Sequence, residues 1–461
     1  MGKTKSPKDG LRIIIVGGGK IGSSLIEQLD LEGHEITIID KDAATIQALT
    51  DAYDIMGIVG NGASYTVQTD AGMDKADLII AVTDSDELNL LCCTVAKIIG
   101  NVAAIARVRT PDYNAEIPYL REKLGLDMII NPEYETAKEI SRILSLPSAL
   151  EVNSFAHGQA EMIKFKIPEG NLVDGKSIAE LGKSIIASMV ICVVERGNEV
   201  YIPSGHFRLK CGDTLSFIAA RKDVISFLEQ IGIPTHQIKD TMIIGGGKAS
   251  YYLATSLIQQ GHDVKIVEKD RARCEELSIL LPKATLINGD GTEEDLLIEE
   301  GIRSVGAFIP LTGSDEENIL LTLNAKKISD AKVITKINHL NFKSVVGSLE
   351  LGSVIYPRYI CAEAIITFVR AKKESRNSNI ETLYHLADHR VEALEFEVRE
   401  DSRATNTPLY QLPLKQNVLI ACINRDGKII IPSGQDVIVV GDEVTVVTTH
   451  SGFRELLDIL E

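Results

Sequence analysis

The stretch Leu11-Arg12-Ile13-Ile14-Ile15-Val16-Gly17-Gly18-Gly19-Lys20-Ile21-Gly22 decides the fold. Its β-branched run predicts a strand buried on both faces, and the residues after the glycines take helical spacing. Between them, Gly17-x-Gly19-x-x-Gly22 has a physical task at every glycine. The first permits a tight turn, the second lets backbone amides approach a pyrophosphate, and the third allows close helix packing; the helix N-terminus then holds the phosphates. Asp40 ends the next apolar run, placed to accept hydrogen bonds from the adenosine ribose. A carboxylate there favours an unphosphorylated 2′ position, NAD rather than NADP.

Working outward, Leu11–Val16, Glu35–Ile39, Ile55–Val59, Leu78–Val82 and Val102–Val108 read as short buried strands separated by amphipathic intervals. That rhythm predicts a parallel sheet with right-handed crossovers. Ligands on such sheets sit outside the carboxyl ends of the strands. Gly60-Asn61-Gly62 and Thr83-Asp84 are turns at that edge, and Arg107, on the fifth strand, could reach a phosphate. A helix-like pattern from Asn131 to Leu150 ends at Pro147. From Glu161 to Ile231 the texture changes to short alternating strands, turn signals and a closing helix after Arg221, a small α+β lobe.

The whole order then recurs at an offset of 228 to 229. Gly17–Lys20 returns as Gly245–Lys248, Gly33-His34 as Gly261-His262, and Asp40 falls on Glu268. Thr83–Lys97 aligns with Thr312–Lys326, the IPSG of 202–205 with that of 431–434, and Gly212-Asp213 with Gly441-Asp442. A register held this far means tandem duplication. The fold class is therefore α/β, two tandem copies of a Rossmann-like parallel-sheet lobe followed by a small α+β lobe. The expected boundaries are a leader at 1–10, large lobes at 11–145 and 239–372, and small lobes at 146–234 and 373–461, with the polar connector 371–379 straddling the last boundary. The second glycine loop reads Gly245-Gly246-Gly247-Lys248-Ala249-Ser250, with Ser250 in place of the third glycine. Asp290, in Gly289-Asp290-Gly291, and Thr312 repeat the two edge turns, and Lys336 stands where the first copy has Arg107.

With 461 residues, 48 basic and 65 acidic side chains and a formal charge of −17, the chain is a poor candidate for binding nucleic acid or an anionic membrane surface. No apolar run approaches a membrane span, and the N-terminus lacks a signal-peptide core. The seven cysteines show no CxxC spacing, and reduced thiols in a cytosolic chain are expected. Several strings mimic sites. Gly170–Ser177 matches a P-loop by letter but is followed by one helical turn inside a small lobe, with no parallel sheet to support it. His385-Leu-Ala-Asp388-His389 has metal-ligand types but no further ligand in sequence reach, and no metal site is expected. His34 and His262 follow glycines and read as turn residues. Met1–Ser6 fits a myristoylation pattern, yet a flexible leader is the expectation.

The glycine loop, the acid on strand two, the Gly-Asn-Gly turn, the Thr-x-Ser-Asp-Glu-x-Asn segment and a small lobe carrying G-K-S-I-x-E-L and IPSG turns together resemble the RCK, or KTN, family of potassium-conductance regulators. The resemblance covers residues 11 to 461. It implies nucleotide-binding large lobes, regulatory small lobes and a homo-oligomeric ring, expected to be a tetramer. The ring would lie on the cytoplasmic face of the inner membrane against an integral-membrane potassium transporter, with NAD(H) and ATP/ADP as ligands. The family's nucleotide positions fall on Gly17 to Ile21 and Asp40, on Gly245 to Ala249 and Glu268, and on Thr83, Asp84 and Arg107. Ser250, and Gly313 where the first copy has Asp84, leave open whether the second site takes NAD or another adenine nucleotide. The chain is expected not to be an enzyme. An NAD-dependent dehydrogenase, the competing reading, needs a general acid/base facing the nicotinamide, and His157, His206 and His236 are scattered. Regulation of another cation channel or antiporter is the remaining alternative.

Overall fold

The computed structural model describes residues 10–461 except 115, 147, 183–188, 234, 236–237, 339–348, 350, 375–379 and 388–389. The first nine residues of the leader, His236, Asp388-His389 and connector residues 375–379 thus lie outside the described residues; 371–374 end the helix Pro357–Glu374.

The first sheet has six strands, β1 (Arg12–Val16), β2 (Glu35–Asp40), β3 (Met56–Val59), β4 (Leu78–Ala81), β5 (Ala103–Arg107) and β6 (Met128–Ile130). They lie in the order β3-β2-β1-β4-β5-β6, every pair parallel. This is the doubly wound arrangement, whose order reverses between β1 and β4 and opens a crevice at the carboxyl ends there. β1 and β4 are buried on both faces, so Ile13–Val16 and Leu78–Ala81 alternate nothing and are simply apolar. The five expected strands are present to within a residue or two at each end. β6, three residues long, follows them and has too little sequence to show a period.

An antiparallel sheet follows, made of β7 (Glu151–Phe155), β8 (Ala160–Lys166), β9 (Met189–Arg196), β10 (Glu199–Tyr201) and β11 (Thr214–Ala220), in the order β10-β9-β11-β8-β7. The helix Arg221–Gln230 closes it, packing Val224, Phe227 and Leu228 on the core that holds Phe165 and Phe217.

The second copy repeats both sheets. β12 (Asp240–Ile244), β13 (Asp263–Glu268), β14 (Thr285–Asn288), β15 (Ala307–Pro310), β16 (Lys332–Lys336) and β17 (Ser353–Ile355) run parallel as β14-β13-β12-β15-β16-β17. β18 (Ile380–Leu386), β19 (Val391–Glu397), β20 (Val418–Arg425), β21 (Lys428–Ile430) and β22 (Glu443–Thr448) form the antiparallel sheet β18-β19-β22-β20-β21. This lobe ends in a single 3-10 turn, Leu456–Ile459, where the first copy has a ten-residue helix.

Like lobes pair with like. One compact unit holds the residues up to Ser141 together with Lys239–Phe368, the two parallel sheets; the other holds Arg142–Ile238 with Val369–Glu461, the two antiparallel ones. In the second unit a shared core joins Phe155, Cys192 and Ile218 to Val391, Cys422 and Val447. Phe155 meets Tyr384 edge-on at 4.9 Å, and the amide of Ala156, at a left-handed φ of 49°, donates to buried Glu395. The P-loop-like string lies in this unit, between β8 and β9 of the antiparallel sheet and ahead of a five-residue helix, Ile178–Gly182. Among the described residues no helix is long and apolar enough to cross a membrane.

Candidate nucleotide-binding site

Both crevices are built the same way. Gly17 turns the chain at φ 104° directly above the carboxyl end of β4, where a Cβ would stand 2.9 Å from the Thr83 nitrogen. Gly18 donates its amide to Asp40 Oδ2 at 2.7 Å, and Asp42 donates to Oδ1 at 2.9 Å. A carboxylate has about four acceptor sites, so Asp40 keeps capacity for ligand hydroxyls. Gly19 precedes the helix Lys20–Leu31, makes no side-chain cap, and a Cβ there would meet nothing within 4 Å. The amides of Lys20, Ile21 and Gly22 lie in the helix's first turn, where N–H groups have no intrahelical partner. That is the composition of an anion cradle. The Ile21 side chain is buried, so only its backbone can serve a ligand. Gly22 works through packing, since a Cβ would run into the Gly17 carbonyl.

The second crevice copies this. Gly245 has φ 96°, Gly246 donates to Glu268 Oε2 at 2.5 Å, Asp270 donates to Oε1 at 2.7 Å, and Gly247 opens on empty space. A cleft of about 400 Å³ brings together Gly245, Gly246, Gly247, Glu268, Asp290 and Thr312. Asp290 lies at its rim with its carboxyl held below the usual range by the Thr292 amide and hydroxyl. Asn61, its counterpart, accepts from Ala63 at 3.0 Å. Two of the expected residues point elsewhere. Lys248 Nζ reaches Thr110 of the other large lobe at 3.3 Å, and Ala249 lies one residue into the helix that starts at Lys248.

The cations differ. Arg107 is buried; its guanidinium donates to the Thr83 carbonyl and, at 3.1 Å, to fully exposed Asp84, while its Nε has no partner among the described residues. A buried donor without a partner fits an anion it would receive. Lys336 donates to the Leu311 carbonyl at 3.2 Å, and burial lowers its pKa, against the opposing pull of Asp315 and Glu133.

The residues that the motif did not assign are Asn89 and Asn318, both wholly buried. Asn89 Oδ1 accepts from the Thr83 amide at 2.8 Å and its hydroxyl at 2.7 Å, and Nδ2 donates to the Arg107 carbonyl at 2.9 Å. It ties the carboxyl ends of β4 and β5. Asn318 does the same for Thr312 and Lys336. Their presence at one position in both copies was the available signal.

Two parallel-sheet lobes with glycine loops and acids in register, each followed by an antiparallel lobe, define a tandem RCK-type chain. The TrkA-N domain model matches residues 13–132 and 241–357, and the TrkA-C domain model matches 162–232 and 393–461. The chain belongs to the TrkA family. It is 32% identical over 450 residues, 97% of its own length and all of the relative's, to the "Trk system potassium uptake protein TrkA homolog" of Archaeoglobus fulgidus. To the Halomonas elongata "Trk system potassium uptake protein TrkA" it is 30% identical, over 94% of the chain and 95% of that protein. Among solved structures, the GsuK RCK domain superposes with a TM-score of 0.62 at 17% identity, covering 96% of this chain and 93% of that one. The GsuK channel bound to NAD superposes with the same score, covering 78% of that chain. At this identity the likeness is one of fold.

Proposed function

We propose that the chain is a nucleotide-sensing regulatory subunit of a potassium-uptake system, without catalytic activity of its own. It takes NAD(H) at Gly17–Gly22, Asp40, Asn61, Thr83, Asp84 and Arg107. The cleft at Gly245–Gly247, with Lys248 and Ala249 behind it and Glu268, Asp290 and Thr312 around it, takes NAD(H) or ATP/ADP. The functional lobes run over 11–145, 146–234, 239–372 and 373–461. The chain assembles as a tetrameric ring on the cytoplasmic face of the inner membrane, against an integral-membrane potassium-transporter subunit of the TrkH/TrkG kind. The names of the full-length relatives support the transport role, and the NAD bound to the GsuK channel, a neighbour in fold, supports the ligand class.

The observation that carries the reading is the repeated pairing of a glycine-loop amide with the acid ending strand two, below an open helix N-terminus. Such a site regulates only through differential affinity. Nucleotide must bind two conformations of the assembly unequally, and that inequality is all it contributes to opening the transporter. Calorimetry of the Asp40→Arg protein with NADH tests it. Hydrogen bonds to a charged group contribute about 1.5–3 kcal/mol, so first-site affinity should fall by about tenfold to a hundredfold. Unchanged NADH binding would refute the assignment.

A further inference from the structure

The two crevices share one compact unit, and two consecutive residues of the first lobe touch the glycine-loop helix of the second. Lys248, the first residue of that helix, donates to the Thr110 hydroxyl at 3.3 Å. One turn on, the buried Tyr252 hydroxyl donates to the Arg109 carbonyl at 3.3 Å and accepts from Asn131 Nδ2 at 2.9 Å, and burial raises its pKa to about 12, so it remains a donor. On their other side Arg109 and Thr110 grip the first crevice. Asp86 takes the Arg109 amide at 3.0 Å, the Thr110 amide at 2.9 Å and the Thr110 hydroxyl at 2.7 Å. The Arg109 guanidinium lies 4.0 Å from Asp84 and 2.9 Å from Glu133. Asp84 lies in the turn that follows β4, the turn expected to meet the first nucleotide, and Asp86, past Ser85, begins the helix Asp86–Ile99.

We propose that Arg109-Thr110 is a junction that couples the two nucleotide sites. Resting on the nucleotide-binding reading above, it makes Thr110, Arg109 and Tyr252 positioning residues for a ligand none of them touches. A nucleotide that draws Lys248 to its phosphates releases the Thr110 hydroxyl, and Thr110 then holds Asp86, and with it the Thr83–Asp86 turn, differently. Coupling of this kind is reciprocal, so a ligand at the first turn must alter the second loop by the same factor.

The full chain is titrated with NADH, with and without saturating ADP, as wild type, as Glu268→Arg and as Thr110→Val/Tyr252→Phe. In Glu268→Arg the second cleft is blocked, so ADP can act only by competing at the first site. We expect ADP to change NADH affinity in the wild type by at least about fivefold beyond that competition, the low end of measured allosteric couplings, and by less than about twofold in the double variant. Thr110→Ser, which keeps the hydroxyl, should retain the wild-type effect. The proposal is overturned if wild type and Glu268→Arg respond alike to ADP, or if the double variant keeps the full response. Should the double variant fail to fold, the near-isosteric Thr110→Val alone decides, and an undiminished response there overturns the proposal. If NADH does not bind the wild type at all, the nucleotide reading itself falls, a result distinct from bound but uncoupled sites.

Discussion

In the first large lobe the glycine-loop helix comes so close to Gly17 that position 22 tolerates no side chain; in the second, the same turn holds Ser250, wholly buried, its hydroxyl without a partner among the described residues. The first lobe places Thr45 beside its loop, bonded to Asp42, whereas the second places Arg273, whose Nε donates to the Gly246 carbonyl at 2.7 Å. The first crevice has the guanidinium of Arg107, the second a lysine with a lowered pKa. Duplication gave two loops of one backbone design, and the differences lie in what braces them. The second loop is tied by a local guanidinium and reaches across to Thr110, and the first is braced by contact of its own backbone.

Exchanging the residues at the third-glycine position tests that contrast hardest. In Gly22→Ser the new Cβ meets a backbone carbonyl that cannot swing away, so the first lobe should lose about 2–3 kcal/mol, within the range for overpacked cores, and NADH binding at that site with it. Ser250→Gly should be neutral to stabilising. Glycine in a helix costs roughly 0.5–1 kcal/mol, but removing a buried unpaired hydroxyl returns about 1–3 kcal/mol. Chemical denaturation of both proteins checks this. Equal losses would mean that the two loops are braced alike.

A smaller difference should separate the two buried asparagines. Asn89 holds the amide, hydroxyl and carbonyl of Thr83 as well as the Arg107 carbonyl, while Asn318 leaves the Thr312 hydroxyl to Ser314 and reaches the Thr312 carbonyl only at 3.4 Å. Asn89→Ala strands more buried groups and should cost about 2–3 kcal/mol, and Asn318→Ala about 1 kcal/mol less, at the usual 1–3 kcal/mol per unsatisfied group. Thermal melts of the two variants settle the order.

Backbone constraints of this kind were legible because they repeat. The glycine spacing, the acid ending β2 and β13, and the duplication all leave residue types that few other structures require. The asparagine clamps were visible only as an aligned letter, since their partners are main-chain atoms that any residue supplies. The pairing of large lobe with large lobe was not legible. It depends on contacts such as Asn131 with Tyr252, 121 residues apart, which obey no local period. Nor did the second small lobe announce that it closes with Leu456–Ile459 in a 3-10 turn, since the closing turn has no repeat of the Arg221–Gln230 helix to follow.

The smallest effect concerns pH. Lys336 is charged when protonated, and burial lowers its pKa from the ordinary 10.5, so its ammonium is lost at a lower pH than that of a free lysine. The first crevice offers a guanidinium instead, a group type whose charge alkaline pH does not remove. As pH rises toward 10.5, ADP affinity measured in an Asp40→Arg chain, which leaves the second cleft as the proposed site, should therefore decline more steeply than NADH affinity in a Glu268→Arg chain. Stability should move the opposite way. The unfolded lysine holds its proton up to 10.5 while the folded one has already released it, so over that window the unfolded state binds more protons and stability rises with pH. Lys336→Arg keeps the charge in both states and should flatten both trends. If affinity at the second cleft fell with pH as steeply in Lys336→Arg as in the parent, the titrating group would be another, and the cation at the end of β16 would not have the phosphate role proposed for Arg107 at the end of β5.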